Sequence, residues 1–543
     1  MEKPFEATDL QAQNAQLYQR NAELEATVTT LTATVSGLTA TVQELTAKVA
    51  HFKELFTLAQ RQRFGASSEK HTPGLEQINL FSGSALPRAQ GQSDEATTTD
   101  AAISAQATEI ISYTRRKTVG KRKDDLSKLP LEVVEHELPE SQRVCPDCGE
   151  TLKGIGVETR DELKIIPPQV IRVAHRRHVY KCAGCERHTE KTPIIKAQTP
   201  APVIKGSVAS PSLVAYIMTQ KYLMHLPLYR LEQDFKRQGA PINRQNMANW
   251  AIQVSEDWLT PIYDRLYKKL RAHTVLHNDD TSTQVLREPG KRPQSKSVMW
   301  TYRTSGDSST PVVLYEYQPD REGKHPKTFL SDWKGYCHAD GYSGNHNIPD
   351  VIIVGCWAHV RRKFNDAYQL TKAPDSLAAV GLAYCDQLFA LEKRFATLSA
   401  EDRYGQRMDH SKPVAEAFFQ WAKSAITPPG LAITRAITYL LNQRAWLMNV
   451  YLDGRLELSN NRAERSIKPF VMGRKNWLFS NSVSGAKASA IAFSIIETAK
   501  ENGLKPFEYL SYLFETLPNA TTDQLNDLLP WSHMLPASCR VSP

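Results

Sequence analysis

The chain has 543 residues, longer than the ~50–250 of a usual domain, so several domains are expected. Hydrophobic residues make up 41% and charged residues 23%, the balance of a soluble globular protein. The formal net charge of +9 suits a polyanionic partner. No stretch reaches the ~20 apolar residues of a membrane span. The opening MEKPFEATDL lacks the basic and apolar regions of a secretory signal, so a cytoplasmic protein without a membrane partner is expected. Of the eight cysteines, four form two CxxC pairs and four are scattered, at Cys337, Cys356, Cys385 and Cys539. That pattern points to metal rather than a disulfide framework.

Residues 10–52 carry a heptad. Leu10, Leu17, Leu24, Leu31, Leu38, Leu45 and Phe52 recur every seven residues, with Asn14, Asn21, Val28, Val35, Val42 and Val49 at the complementary position. Leucine at d with valine at a favours a parallel two-stranded coil, and a polar asparagine at a sets its register. A homo-oligomer, at least a dimer, is therefore expected. The many threonines and Gly37 lower helix propensity and leave the coil marginal alone.

The following stretch, GSALPRAQGQSDEATTTDAAISAQATE, is too poor in large apolar residues to fold and reads as a linker. It ends in six basic residues within nine positions, Arg115, Arg116, Lys117, Lys121, Arg122 and Lys123. Such a cluster suits a phosphate-binding arm. Next, CPDC and CAGC offer the thiolates of Cys145, Cys148, Cys182 and Cys185, a set that suits one structural Zn²⁺ in tetrahedral coordination. Redox chemistry is the alternative for a CxxC. The segment between, VIRVAHRRHVYKC, is strand-like, and its Arg172, Arg176 and Arg177 either face DNA or solvate the outer face.

Residues 200–272 read as helices broken by Pro and Gly. A short helix, a turn with Gly239 and a helix opening at Asn243 fit either a helix-turn-helix or a plain bundle. From His273 the pattern turns to strands: TVLHNDDTSTQVL, SVMWTYRTS and PVVLYEYQP form a meander. A helix (KHPKTFLSDW), a fourth strand ending at Asp340 (GYCHADGYSG) and a fully apolar fifth (DVIIVGCWAHV), expected to be central, complete the sheet. This is the ribonuclease-H-like order. It brings an acid on the first strand near an acid at the end of the fourth.

The third acid is Glu464 in LELSNNRAERSIKPFVMGRKNWLF, where Ser459 or Asn460 would cap a short helix ended by Pro469. Three carboxylates with open positions suit two Mg²⁺ (or Mn²⁺) ions, which can clamp an in-line phosphoryl displacement.

The stretches RFGASSEK, CPDC, CAGC, LPLYRLEQDFKRQG, HNDDT, DGYSG, GCWAHVRRKF, NNRAERSIKP and GRKNWLFSNS together resemble the DDE transposases of the insertion sequence 66 family over almost the whole chain. The resemblance implies that Asp279, Asp340 and Glu464 are the catalytic, metal-binding triad. Asp280 stands where the family usually has Glu and, as a strand neighbour of Asp279, is expected on the other face. The resemblance also implies binding to double-stranded DNA, at transposon ends and target, and admits accessory proteins of the same element as partners.

Arg361, Arg362, Lys363, Arg465, Lys468, Arg474 and Lys475 are expected to line the DNA channel. Cys356 and His359 match a C-x-x-H motif; they either support the acids or pack a strand end. Trp477 and Phe479 either stack on a displaced base or pack in the core.

The expected organisation is multidomain α+β. A coiled coil spans 1–60, a linker with the basic cluster 61–125, a zinc-binding β module 126–195 and an HTH-like helical region 200–272. A ribonuclease-H-like catalytic domain follows at 273–500, with a helical insertion at about 366–455, then a small helical domain at 501–543. A structure-specific nuclease on the same fold and a catalytically dead DNA-binding regulator are the competing functions.

Overall fold

Both edge strands of the central sheet make hydrogen bonds with polar side chains from elsewhere in the chain. The computed structural model describes residues 6–64, 133, 168–181 and 194–541. The four CxxC cysteines, the basic cluster at 115–123 and nearly all of the expected linker and zinc module lie outside the described residues.

Helix α1 (Glu6–Phe64) runs unbroken for 59 residues. Seven threonine hydroxyls, from Thr27 to Thr41, donate to the carbonyl four residues back. This internal bonding removes their competition with the helix ladder and reconciles a threonine-rich sequence with helix. The short strands β1 (Val179–Lys181) and β2 (Ile194–Lys196) pair antiparallel and are exposed. The longer strand expected over 170–182 is thus confined to its last described residues. Residues 168–178 are not in a strand; at their end the His178 carbonyl accepts from the Ala197 amide (3.0 Å) and the Arg177 Nε donates to the Ala197 carbonyl (2.6 Å).

Helices α2 (Pro211–Tyr222), α3 (Leu228–Arg237), α4 (Arg244–Val254) and α5 (Thr260–Arg271) follow. Ser210 caps α2 and Asn243 caps α4 through their side chains, as expected for these residue types. The sheet then forms from β3 (Val275–Arg287), β4 (Lys296–Thr304) and β5 (Val313–Gln318). After helix α6 (Lys324–Phe329) it continues with β6 (Gly335–Ala339) and β7 (Val351–Gly355).

The spatial order is β5-β4-β3-β6-β7. β4 runs antiparallel to both β5 and β3, whereas β6 is parallel to β3 and β7 to β6. β7 lies at an edge, not at the centre, and ends at Gly355 instead of running on through Val360. Its apolar run arises from cover, not centrality: Ile353 and Val354 are buried on opposite faces, and the Asn449 side chain donates to the Ile353 carbonyl (2.8 Å). At the opposite edge, the hydroxyls of Ser494 and Thr498 accept from the Tyr315 and Val313 amides (2.7 and 3.0 Å). Exposed edges invite pairing with other chains, and these bonds take up part of each edge.

Beyond β7 come α7 (Trp357–Thr371), α8 (Leu377–Phe395), α9 (Ala400–Gln406), α10 (Lys412–Ser424), α11 (Ala432–Asn442) and α12 (Arg444–Met448). They build a second core around Trp357, Phe364, Phe418 and Leu440 on one side of the sheet. Arg407, 1% exposed, fastens this helical layer. Its guanidinium bonds Glu392 and the carbonyls of Val450, Asp453 and Leu456, tying the layer to the loop that precedes α13 (Asn461–Trp477).

Strand β8 (Ser480–Ser482) pairs with the far end of β3, followed by α14 (Val483–Glu501) and α15 (Pro506–Thr516). The regions 200–272, 273–500 and 501–543, expected as separate domains, share one core. Met218, Leu266, Trp300, Phe493 and Phe514 all belong to it. None of these helices could bury its apolar face alone, and α14 sits between β5 and the early helices to satisfy all three.

Candidate active site

Parallel pairing of β3 with β6 sets His277 opposite His338. The two imidazoles stack (centroids 4.2 Å, planes 12° apart) and are fully buried. Burial pushes His277 down to about 3 and lowers His338 too, so both are neutral and the stack carries no repulsion. Two residues further along, on the same side of each strand, stand Asp279 and Asp340.

Asp340 follows the end of β6. Its Oδ1 accepts from the Tyr342 amide (3.0 Å) and from the Asn345 side chain (3.1 Å), and Asn345 in turn accepts from Asn278 on β3 (3.2 Å). Glycine follows Asp340 because a Cβ at Gly341 would come within 2.8 Å of the Tyr439 hydroxyl. Glu464 lies in the first turn of α13. Its Oε2 is 3.4 Å from Arg362 Nη2 and its Oε1 3.7 Å from His359 Nδ1.

The charges of Glu464 and Asp340 act on Asp279, but among the described residues the set whose ligand atoms lie within 4.8 Å of one another is Cys356, His359 and Glu464. Burial, reinforced by the charges of Glu464, Asp340 and Asp280, pushes the Asp279 carboxyl up to about 8. The excess negative charge is only partly offset by protein groups, which is the condition a cation would relieve.

Asp280, the strand neighbour of Asp279, stays at the border of this cluster, where the Arg321 Nη2 lies 2.7 Å from its Oδ1 and 3.7 Å from Asp340 Oδ2. Its Oδ1 takes two bonds from the Arg321 guanidinium (3.0 and 2.7 Å). Arg321 lies over the Tyr342 ring (3.9 Å) and reaches within 3.7 Å of Asp340. Sequence reasoning missed Arg321, and also His277, His338 and Asn345. Only the histidines had a signal, each standing two residues before an acid on its strand.

Two expectations around Glu464 are corrected. Asn460 occupies the N-cap position, yet its side chain makes no cap bond. Instead it donates to the Asn278 carbonyl (2.6 Å) and pairs with His277 Nδ1 (3.1 Å), pinning the start of α13 to β3. Pro469 does not end the helix, which runs to Trp477. Ile467, Phe470 and Gly473 are buried on either side of the proline, and this packing outweighs the missing ladder bond.

Cys356 is buried at the N-cap of α7, and its sulfur accepts from the Asn460 amide (3.2 Å). Burial pushes its thiol up to about 11. Its Sγ, His359 Nδ1 and Glu464 Oε1 lie within 4.8 Å of one another. Among the basic residues, Arg362 faces Glu464, and Arg474 bonds Thr281 on β3 (3.1 Å). Arg361 is instead engaged by Asp386 (2.7 Å), and Lys363 lies over the Tyr439 ring (4.7 Å). Arg465 is half-buried, while Lys468 and Lys475 are exposed. Arg172, Arg176 and Arg177 are exposed in the segment before β1. Trp477 packs edge-on to Tyr222 and His225 and near Phe493, so the core alternative holds for it. Phe479 is 42% exposed.

The family model described as "Transposase IS66 family" matches residues 206–488. The chain belongs to the IS66 transposase family. Further models match at 494–531 ("IS66 C-terminal element"), 142–186 ("zinc-finger binding domain of transposase IS66") and 51–134 ("Transposase C of IS166 homeodomain"). The last includes the stretch expected as a linker. A zinc-finger-type domain and DNA binding thus belong to this transposase.

Two similar proteins come from Sinorhizobium fredii (strain NBRC 101917 / NGR234). The uncharacterized protein y4jD is 32% identical over 73% of this chain and 78% of its own length. The uncharacterized protein y4hP is 27% identical over 87% and 86%. The solved "Drosophila P element transposase strand transfer complex" aligns at 9% identity with a TM-score of 0.31, covering 53% of this chain and 92% of that one. That likeness is too loose to align the two sites. Among the described residues no helix is long and apolar enough to cross a membrane.

Proposed function

We propose that this transposase cleaves DNA at the ends of its insertion sequence and joins the resulting 3′-hydroxyls to target DNA, using Asp279, Asp340 and Glu464 as its metal-binding triad on a ribonuclease-H-like sheet. The observation that carries the reading is the placement of the acids: Asp279 within β3, Asp340 directly after β6, which pairs with β3, and Glu464 in the first turn of α13. Three hard oxygen donors with unbalanced charge fit divalent Mg²⁺ or Mn²⁺. A bound pair of such ions supplies Lewis-acid activation of the attacking and leaving oxygens of a phosphodiester transfer.

The chain's own residues prepare that chemistry. Tyr342 and Asn345 orient Asp340 through hydrogen bonds to Oδ1, while Oδ2 faces Arg321 at 3.7 Å. The stacked histidines and Asn460 hold β3, β6 and the start of α13 in register. Arg321 neutralises Asp280, which keeps it out of the donor set. Arg362, Lys363, Lys468, Arg474 and Lys475 offer positive charge for DNA phosphates. The zinc module, with Cys145, Cys148, Cys182 and Cys185 on one Zn²⁺, and the basic cluster at 115–123 recognise the ends. The α1 seam pairs two chains so that two ends meet.

The test uses labelled transposon ends and a plasmid target. Asp279→Ala, Asp340→Ala and Glu464→Ala should each abolish cleavage and joining while end binding, read by mobility shift, survives. Normal joining by any one of them removes that residue from the triad. Cleavage without joining in the parent would instead favour a nuclease, and neither activity a DNA-binding regulator.

A further inference from the structure

Beside the carboxylates lies a second set of donors of a different chemical kind. Cys356 Sγ, His359 Nδ1 and Glu464 Oε1 lie within 4.8 Å of one another. Cys356 is 2% exposed. The backbone amides of Ala358, His359 and Asn460 face its sulfur; they only partly offset burial, which keeps the thiol protonated until a cation displaces the proton. His359 Nδ1 and Glu464 Oε1 are shielded from solvent and have no hydrogen-bond partner among the described residues, although they face each other at 3.7 Å. Buried polar atoms are nearly always paired, so this gap points to a missing partner. A hard ion at the carboxylates accounts for the Glu464 oxygen but not for the imidazole nitrogen or the sulfur.

We propose that Cys356, His359 and Glu464 form a site for a thiophilic divalent ion such as Zn²⁺ or Co²⁺, distinct from the four-cysteine module. Thiolate and imidazole select such ions over Mg²⁺. A tetrahedral ion with donors at roughly 2.0–2.3 Å holds them roughly 3.3–3.8 Å apart, so the His359–Glu464 separation already fits and the sulfur must close in. Binding displaces the thiol proton to solvent. Three protein donors leave a fourth position open to water, as in ion sites that exchange.

The site shares Glu464 with the carboxylate cluster. If the triad reading above is right, a thiophilic ion here withdraws Glu464 from that cluster and inhibits Mg²⁺-dependent cleavage. The inhibition rests on that reading; the binding does not.

Titrating CoCl₂ into the full-length protein, purified with its own zinc in place, tests the binding. The parent should take up one equivalent with thiolate-to-cobalt charge-transfer absorption in the near ultraviolet. Cys356→Ser should lack that band. His359→Gln, a change at a half-buried position rather than a fully buried one, should weaken Co²⁺ binding by more than the roughly 10–100-fold that losing an outer-shell partner costs. Asp279→Asn should keep the band. Absence of the band in the parent, or an undiminished band in Cys356→Ser, would overturn the site. In the cleavage assay at fixed Mg²⁺, added ZnCl₂ should inhibit the parent, and His359→Gln should need more than about tenfold higher ZnCl₂. Co²⁺ binding without inhibition would overturn the competition for Glu464. A parent that never cleaves would sink the triad reading and leave the absorption result standing.

Discussion

The long N-terminal helix and the sheet-centred body solve the same problem in opposite ways. Each presents a regular apolar pattern. In the body that pattern is consumed by the chain itself, with Trp300, Phe364 and Phe493 fully buried. Along α1 it is not: Leu31 and Leu38 are 58% and 60% exposed, and Val28, Val35 and Val42 about as open. A stripe of this length left open to water is costly, at about 25 cal/mol for each Å² of apolar surface. The difference teaches that periodicity reports an apolar face but not what covers it. For the body the cover is other helices of the same chain; for α1 the heptad spacing suits a second copy.

The largest effect should come from the buried polar fastener of the body. Arg407→Ala leaves Glu392 unpaired and three carbonyls short of a donor. It should cost about 3–5 kcal/mol, the range for breaking a buried ion pair, as read by urea unfolding. A loss under about 1 kcal/mol would show that the helical layer is held by its apolar contacts alone, as α1 would be held by its seam.

A smaller effect, opposite in sign, is expected at Asp279. Its folded-state pKa of about 8 lies above the ordinary 3.8, so the folded protein keeps a proton that the unfolded chain has lost. Its contribution is therefore full below pH 3.8 and is lost as pH rises toward 8. Asp279→Asn, measured with a chelator present, should stabilise the body by about 1–2 kcal/mol at pH 8, with the gain vanishing near pH 4. A gain independent of pH would mean that crowding of charge is not its source.

The smallest change in the body's stability, and the sharpest test of the contrast, lies in α1. Leu31→Lys with Leu38→Lys should shift the body's unfolding free energy by no more than about 0.5 kcal/mol, while light scattering shows the mass falling to that of one chain. An unchanged mass would mean that the body associates through another surface.

Much of the site could be read before any fold was known. Asp279, Asp340 and Glu464 were singled out by their place in the element order, mid-strand, strand end and helix start, and by the family resemblance; their shared role is the proposal made above. Their partners were not. Arg321 comes from the loop before α6 and meets Asp280 across 41 positions, a distance that no local pattern encodes. Asn460 looked like a helix cap because Asn is a good one; its side chain was drawn off by a buried imidazole and a strand carbonyl. β7 looked central because both of its faces are apolar, yet the edge is closed by Asn449 and by the helical layer, cover that periodicity cannot distinguish from a neighbouring strand.

By itself, then, the sequence determined the order of elements, the long N-terminal helix, the three carboxylates and the cysteine pairs, because hydrophobic period, capping residues and ligand spacing act over a few residues at a time. Only the tertiary structure decided the rest. It merged three expected domains into one core, moved β7 to an edge, carried α13 through Pro469 and set a thiol and an imidazole beside Glu464. Each of these depends on contacts between residues far apart in the chain. Such contacts prevail over local preference because burying apolar area and pairing buried polar groups are worth several kcal/mol, against the few tenths that most single-residue propensities contribute.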